Sequence, residues 1–197
     1  MPLVDRIHGH FTASAQAKLD AAGQLAAPIE TAARLMVHAL AQGNKILACG
    51  NGGSAADAQR FSSGMVNRFE QERPGLAAIA LTTDTSTLTS IANDSAYDQI
   101  FARQLKALGH PGDVLLAISS SGNSPSVLQA VEAAHARGIA VVALAGHSGG
   151  RLAEQMTDPD VILCVPAESP ARIQEVHQLI LHCLCDAVDS VLLGVEE

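Results

Sequence analysis

Lys45-Ile46-Leu47-Ala48-Cys49-Gly50-Asn51-Gly52-Gly53-Ser54 passes from an apolar run into a glycine turn, and the residues on to Arg68 have helical character. This is the order of a buried strand, a tight loop and a helix N-terminus. The loop offers backbone N–H groups and the helix adds the positive end of its dipole, a combination that suits an anion. The same grammar returns after Val114-Leu115-Leu116-Ala117-Ile118, in Ser119-Ser120-Ser121-Gly122-Asn123-Ser124. Two such loops predict a site for a phosphorylated small molecule between them. Neither is a Walker A loop, since no Gly-Lys-Ser/Thr follows, and Gly50-Asn51-Gly52 lacks the third glycine of a dinucleotide fingerprint. Nucleoside triphosphates and NAD are therefore poor candidates.

Working outward, apolar runs at Ile46–Cys49, Ala77–Leu81, Asp113–Ile118, Ile139–Ala145 and Val161–Val165 read as strands. Helical segments separate them: Ala55–Arg68, Thr85–Ala92 with Gln99–Leu108, Pro125–Arg137, and Arg151–Met156. Strand and helix in alternation, with strands apolar throughout, predict an α/β fold with a doubly wound sheet of about five parallel strands. Ligands of such sheets bind at the carboxyl ends of the strands. Both glycine-serine loops fall there, and Asn93-Asp94 is expected there too, beyond the second strand.

Two helices are expected before the first strand, Leu3–Ala22 and Pro28–Gln42. A last helix, Pro170–Leu193, is apolar nearly all round in its second half, from Leu179 to Leu193. Such a helix needs cover on several sides, which predicts a subunit interface. The chain reads as one domain over 1–197: N-terminal helices at 1–43, an α/β core at 44–169 and the C-terminal helix at 170–197.

Its 197 residues suffice for a real core, and 48% are apolar but only 3% aromatic. Net charge is −8, which argues against a nucleic-acid surface. From Arg151 on, nine acids face two bases, so the C-terminal part presents an acidic surface. Cys49, Cys164, Cys183 and Cys185 form no Cys-x-x-Cys pair and read as buried free thiols of a reducing compartment. No signal-peptide pattern and no stretch of membrane-spanning length is apparent, so a cytoplasmic protein is expected.

Cys49-Gly50-Asn51-Gly52-Gly53-Ser54 and Ile118–Ser124 resemble the sugar isomerase (SIS) domain. Ile91-Ala92-Asn93-Asp94 and Ala171-Arg172-Ile173-Gln174-Glu175-Val176-His177 narrow the resemblance to the phosphoheptose isomerase group, over essentially the whole chain. The resemblance implies a homotetramer with a sugar-phosphate pocket built from Asn51, Gly52, Gly53, Ser54, Asn93, Asp94, Ser119, Ser120, Ser121, Ser124 and Gln174. One branch of the group converts sedoheptulose 7-phosphate to a heptose 7-phosphate for lipopolysaccharide. The other binds the replication initiator DnaA.

The helix after the first loop separates the branches. In the isomerases it carries His and, four residues on, Glu, which share a helix face and serve as metal ligands and as the proton-transfer base. Here those positions hold Arg60 and Gly64. Arginine is neither base nor ligand at neutral pH. Gln174 and His182 match the family's remaining ligands, with His182 at the catalytic histidine, but eight residues of one helix separate them, about 12 Å of rise. No cofactor is therefore expected, and zinc only in the isomerase reading. The missing carboxylate favours the DnaA-binding branch, with the phosphoheptose isomerase as the alternative. Arg60 is expected beside the phosphate, adding charge.

Overall fold

The structure, a computed structural model, describes residues 1–194. Five parallel strands form its centre: β1 (Ile46–Gly50), β2 (Ala78–Ala80), β3 (Val114–Ile118), β4 (Ala140–Gly146) and β5 (Val161–Val165). Their order across the sheet is β2-β1-β3-β4-β5. β1 and β3 pair in register from Ile46–Val114 to Gly50–Ile118. Every residue of β1 and β3 is buried, as their unbroken apolar runs require.

Seven α-helices surround the sheet: α1 (Leu3–Ala41), α2 (Gly53–Val66), α3 (Thr85–Asp94), α4 (Ile100–Leu108), α5 (Pro125–His135), α6 (Gly150–Gln155) and α7 (Pro170–Leu193). Side chains alternate across each strand. Ile46, Ala48, Leu116 and Leu144 pack beneath α1, α2 and α7, while Leu47, Leu115, Val141 and Ala143 pack against α4 and α5. The chain leaves β1 through α2 on one face and leaves β3 through α5 on the other. The strand order therefore reverses between β1 and β3, and that switch point is where open α/β sheets take their ligands.

Local chemistry sets the helix starts. Asp84 caps α3 by accepting from the Thr87 N–H at 3.0 Å. α5 and α7 both begin Ser-Pro, with proline in the first turn, where its missing N–H costs nothing. Gly194 ends α7 in the left-handed region.

The expected pair of N-terminal helices is one helix of 39 residues with Pro28 inside it. Pro28 removes one backbone bond. The packing of Leu25 and Ile29 on either side of it, in a groove shared with Val176 and Ile180 of α7, holds the two halves in line. β2 is shorter than expected, and a single turn of 3-10 helix at Tyr97–Gln99 precedes α4.

Contrary to the sequence reading, α7 is long and apolar enough to cross a membrane by length and composition. Ile173, Val176, Ile180, Leu181, Leu184 and Val188 are nevertheless core residues, packed with α1 and α2. The chain itself thus supplies much of the cover that α7 needs, and Leu179, Val191, Leu192 and Leu193 stay exposed. Of the cysteines, all free, Cys49 and Cys185 are buried as expected, whereas Cys183 is exposed. Of the acidic C-terminal part, Glu196 and Glu197 lie outside the described residues.

Candidate active site

The two loops meet over the switch point. Asn51, Ser54, Ser119, Ser120, Ser121 and Ser124 line one cavity of about 190 Å³ above the end of Ile118. Six of the expected phosphate-site residues are thereby brought together. The loops are also bonded to each other: Asn51 Nδ2 donates to Ser124 Oγ at 2.7 Å and to Ser126 Oγ at 2.8 Å. Tyr97 donates its hydroxyl to Asn51 Oδ1 at 2.9 Å. Ser126 and Tyr97 escaped the sequence reading. Ser126 lies inside the first turn of α5, and nothing local marks Tyr97.

Close backbone approach explains two glycines. A Cβ on Gly50 would stand 2.7 Å from Ser54 Cβ, so the turn into α2 closes only without one. Gly122 sits at φ +64°, and a Cβ there would fall 1.8 Å from Gly149 O. No lysine or arginine lines this cavity. An anion in it is met by the serine hydroxyls and by the N-termini of α2 and α5, which reach it from opposite faces of the sheet.

α7 lies along α2. Gly53 would place a Cβ 3.6 Å from Gln174 Oε1, and Gly64 would place one 3.4 Å from Cys185 Sγ. The two contacts lie eleven residues apart on both helices, so α2 and α7 run parallel with a constant offset. At 100° per residue, Gly53, Asp57, Arg60 and Gly64 form one stripe facing α7. Gln174 therefore stands at the first glycine loop, and His182 stands about two turns further along α7.

There a second cavity of about 210 Å³ opens, lined by Arg60, Gly64, Arg68, Phe69, His182 and Cys185 among others. The His182 ring rests on Phe69, centroids 5.6 Å apart. Arg60 is thus not beside the phosphate loop, as expected, but in this separate cavity. Its guanidinium stands 3.5 Å from the Asp57 carboxylate. Asp57 is only 7% exposed. Burial pushes its carboxyl above the ordinary range, against the pull of Arg60. A single aspartate in an amphipathic helix carries no signal in the sequence; Asp57 gains one only from its place beside Arg60.

Asn93 and Asp94 are exposed at the end of α3, bonded to each other, and do not line the serine cavity. A zinc ion does not fit the residues present. Among the described residues no group of three or more His, Cys, Asp and Glu side chains could hold a metal. Gln174 and His182 sit two turns apart, with Arg60 and Gly64 opposite. His177 is fully buried and bonded through Nε2 to Ala145 O at 3.0 Å. Burial holds its pKa down, against that bond, so it is a neutral core histidine.

Residues 10–146 match the SIS domain family. The phosphoheptose isomerase of Thiobacillus denitrificans is 78% identical over 197 residues, all of both chains. The chain belongs to the phosphoheptose isomerase family of SIS domains. The phosphoheptose isomerase of an Azoarcus species is 62% identical, again over the whole of both chains. Among solved structures, the phosphoheptose isomerase of Neisseria gonorrhoeae superposes with a TM-score of 0.92 at 50% identity, covering 96% of this chain and all of its own. That of Francisella tularensis gives 0.94 at 47% identity with the same coverage. These likenesses favour the isomerase branch and correct the leaning drawn from Arg60 and Gly64: nothing in them supports DnaA binding.

Proposed function

We propose that this SIS protein is a cytoplasmic isomerase of seven-carbon sugar phosphates, converting sedoheptulose 7-phosphate to the aldoheptose 7-phosphate. The observation that carries the reading is the side-by-side packing of α2 and α7, with the serine cavity at its start and the His182 cavity further along. Arg60 stands about 10 Å of helix rise beyond Gly53, a reach that an extended seven-carbon chain matches. The full-length phosphoheptose isomerases at 78% and 62% identity support the same choice of substrate.

The serine hydroxyls and the two helix N-termini hold the phosphate. Gln174, against Gly53, faces the chain just beyond it. The reaction moves a proton from C1 to C2. A base takes the C1 proton, the C1–C2 double bond forms, and the carbonyl electron pair settles on O2. Protonation at C2, with the O1 proton passing to O2, leaves the aldehyde at C1. His182, whose imidazole can accept at one ring nitrogen and donate at the other, is the proton-transfer side chain lining the far cavity. Purified protein should turn over sedoheptulose 7-phosphate, and His182→Ala should lose activity by roughly 100-fold or more.

A second reading rests on Arg60 and Gly64, which leave the α2 face without the family's carboxylate. On that reading the protein is a sugar-phosphate-binding module that partners DnaA, as a homotetramer. Retention of DnaA on the immobilised protein, with no turnover, would select it.

A further inference from the structure

The far cavity has an uneven charge. Its basic lining is Arg60, Arg68 and His182, beside the Cys185 thiol, and among the described residues no carboxylate lines it. The nearby acids pair with the cations: Asp57 stands beside the Arg60 guanidinium, and Glu72 is bonded to Arg68 from a highly exposed position. Asp186 and Asp189 follow Cys185 on α7, and Asp189 is taken up by Arg73. Gly64 leaves the floor open where a side chain would fill it. A neutral sugar hydroxyl needs no such array. An anion does, because two guanidiniums can only donate and the imidazole can donate through one ring nitrogen.

We propose that Arg60 is the electrophile of the proposed isomerisation: its guanidinium takes the negative charge that develops on O1 and O2 of the enediolate, and Asp57 is a positioning residue that keeps it in the groove. This rests on the reading of the serine cavity as the phosphate site. The electron pair arriving on O2 is stabilised by the Arg60 N–H donors until it takes up the O1 proton; the pair left on O1 then forms the aldehyde C=O as the C1–C2 π pair takes the proton at C2. Arg60 gains and loses no proton. Preorganised cations of this kind act on the transition state more than on the ground state. The cavity should therefore prefer a ligand whose C1 end is anionic and planar over the neutral ketose.

Titration calorimetry with two probes tests this: sedoheptulose 7-phosphate, and the aldonate D-glycero-D-manno-heptonate 7-phosphate, whose C1 carboxylate mimics the enediolate. Wild-type protein should bind the aldonate at least tenfold more tightly. Arg60→Gln should erase that preference while changing the ketose affinity less than twofold, and Arg60→Lys should restore part of it. Asp57→Asn should reduce the preference without abolishing it. Circular dichroism confirms folding, and the half-exposed Arg60 site tolerates these changes. Equal binding of both probes by the wild type, or a preference that survives Arg60→Gln, overturns the proposal and leaves the phosphate reading standing. Binding of neither probe overturns both.

Discussion

Arg73 and Asp189 form an ion pair inside the protein, Nε to Oδ1 at 2.5 Å, with their side chains 1% and 5% exposed. The same guanidinium donates to Gly64 O and Met65 O, each at 2.8 Å. It therefore caps the C-terminal end of α2 and ties it to α7, at the floor of the cavity that holds His182. Asp189→Ala would leave a guanidinium buried with no counter-charge. Breaking one side of a buried pair costs about 3–5 kcal/mol. For a chain of this size each kcal/mol moves Tm by about 2–4 °C, so a fall of about 6–20 °C is expected in thermal unfolding. The double variant Arg73→Met with Asp189→Leu removes both charges and should recover part of the loss. It should not recover all of it, because Gly64 O then loses its donor and Met65 O keeps only the Leu76 N–H. A Tm for Asp189→Ala within 2 °C of wild type, or a double variant no more stable than either single one, would refute the reasoning.

Other outcomes follow from the same geometry. Asn51→Ala removes the link between the two loops and should weaken phosphate binding by roughly fivefold, about 1 kcal/mol, read by titration. Gly122→Ala forces a side chain into the left-handed region and against Gly149 O; it should destabilise the protein by about 2 kcal/mol or more and abolish phosphate binding. His177 has a folded pKa below its ordinary 6.5, so the unfolded chain binds more protons below that value. Stability should therefore fall as pH drops below about 6.5, and a chemical-denaturation series should show less of this fall in His177→Phe.

The sheet was legible because β1, β3 and β4 are unbroken apolar runs, and an apolar run between turn residues has few other homes. The meeting of the two glycine-serine loops was legible for a related reason: both follow buried neighbouring strands and so reach the same end of the sheet. α1 was not, because Pro28 is a local signal to stop, while the contacts of Leu25 and Ile29 with α7 that override it come from a helix more than 140 residues away. Arg60 was found but misplaced. Its position on the stripe facing α7 depends on the offset between two helices, which the glycines at 53 and 64 reveal only in three dimensions. Asp57 and Tyr97 gain meaning in the same way, from partners that the linear sequence does not bring near.

Isomerisation by this protein requires enediol chemistry at the C1 end of the sugar. Sedoheptulose 7-phosphate incubated with the protein in D2O, followed by NMR, reports it directly, since exchange at C1 registers even when net turnover is slow. The prediction is deuterium at C1 with wild-type protein, none with His182→Ala, and a rate that added zinc does not raise. A folded protein that binds the sugar phosphate yet leaves C1 fully protonated would contradict it and leave a binding module on an isomerase frame.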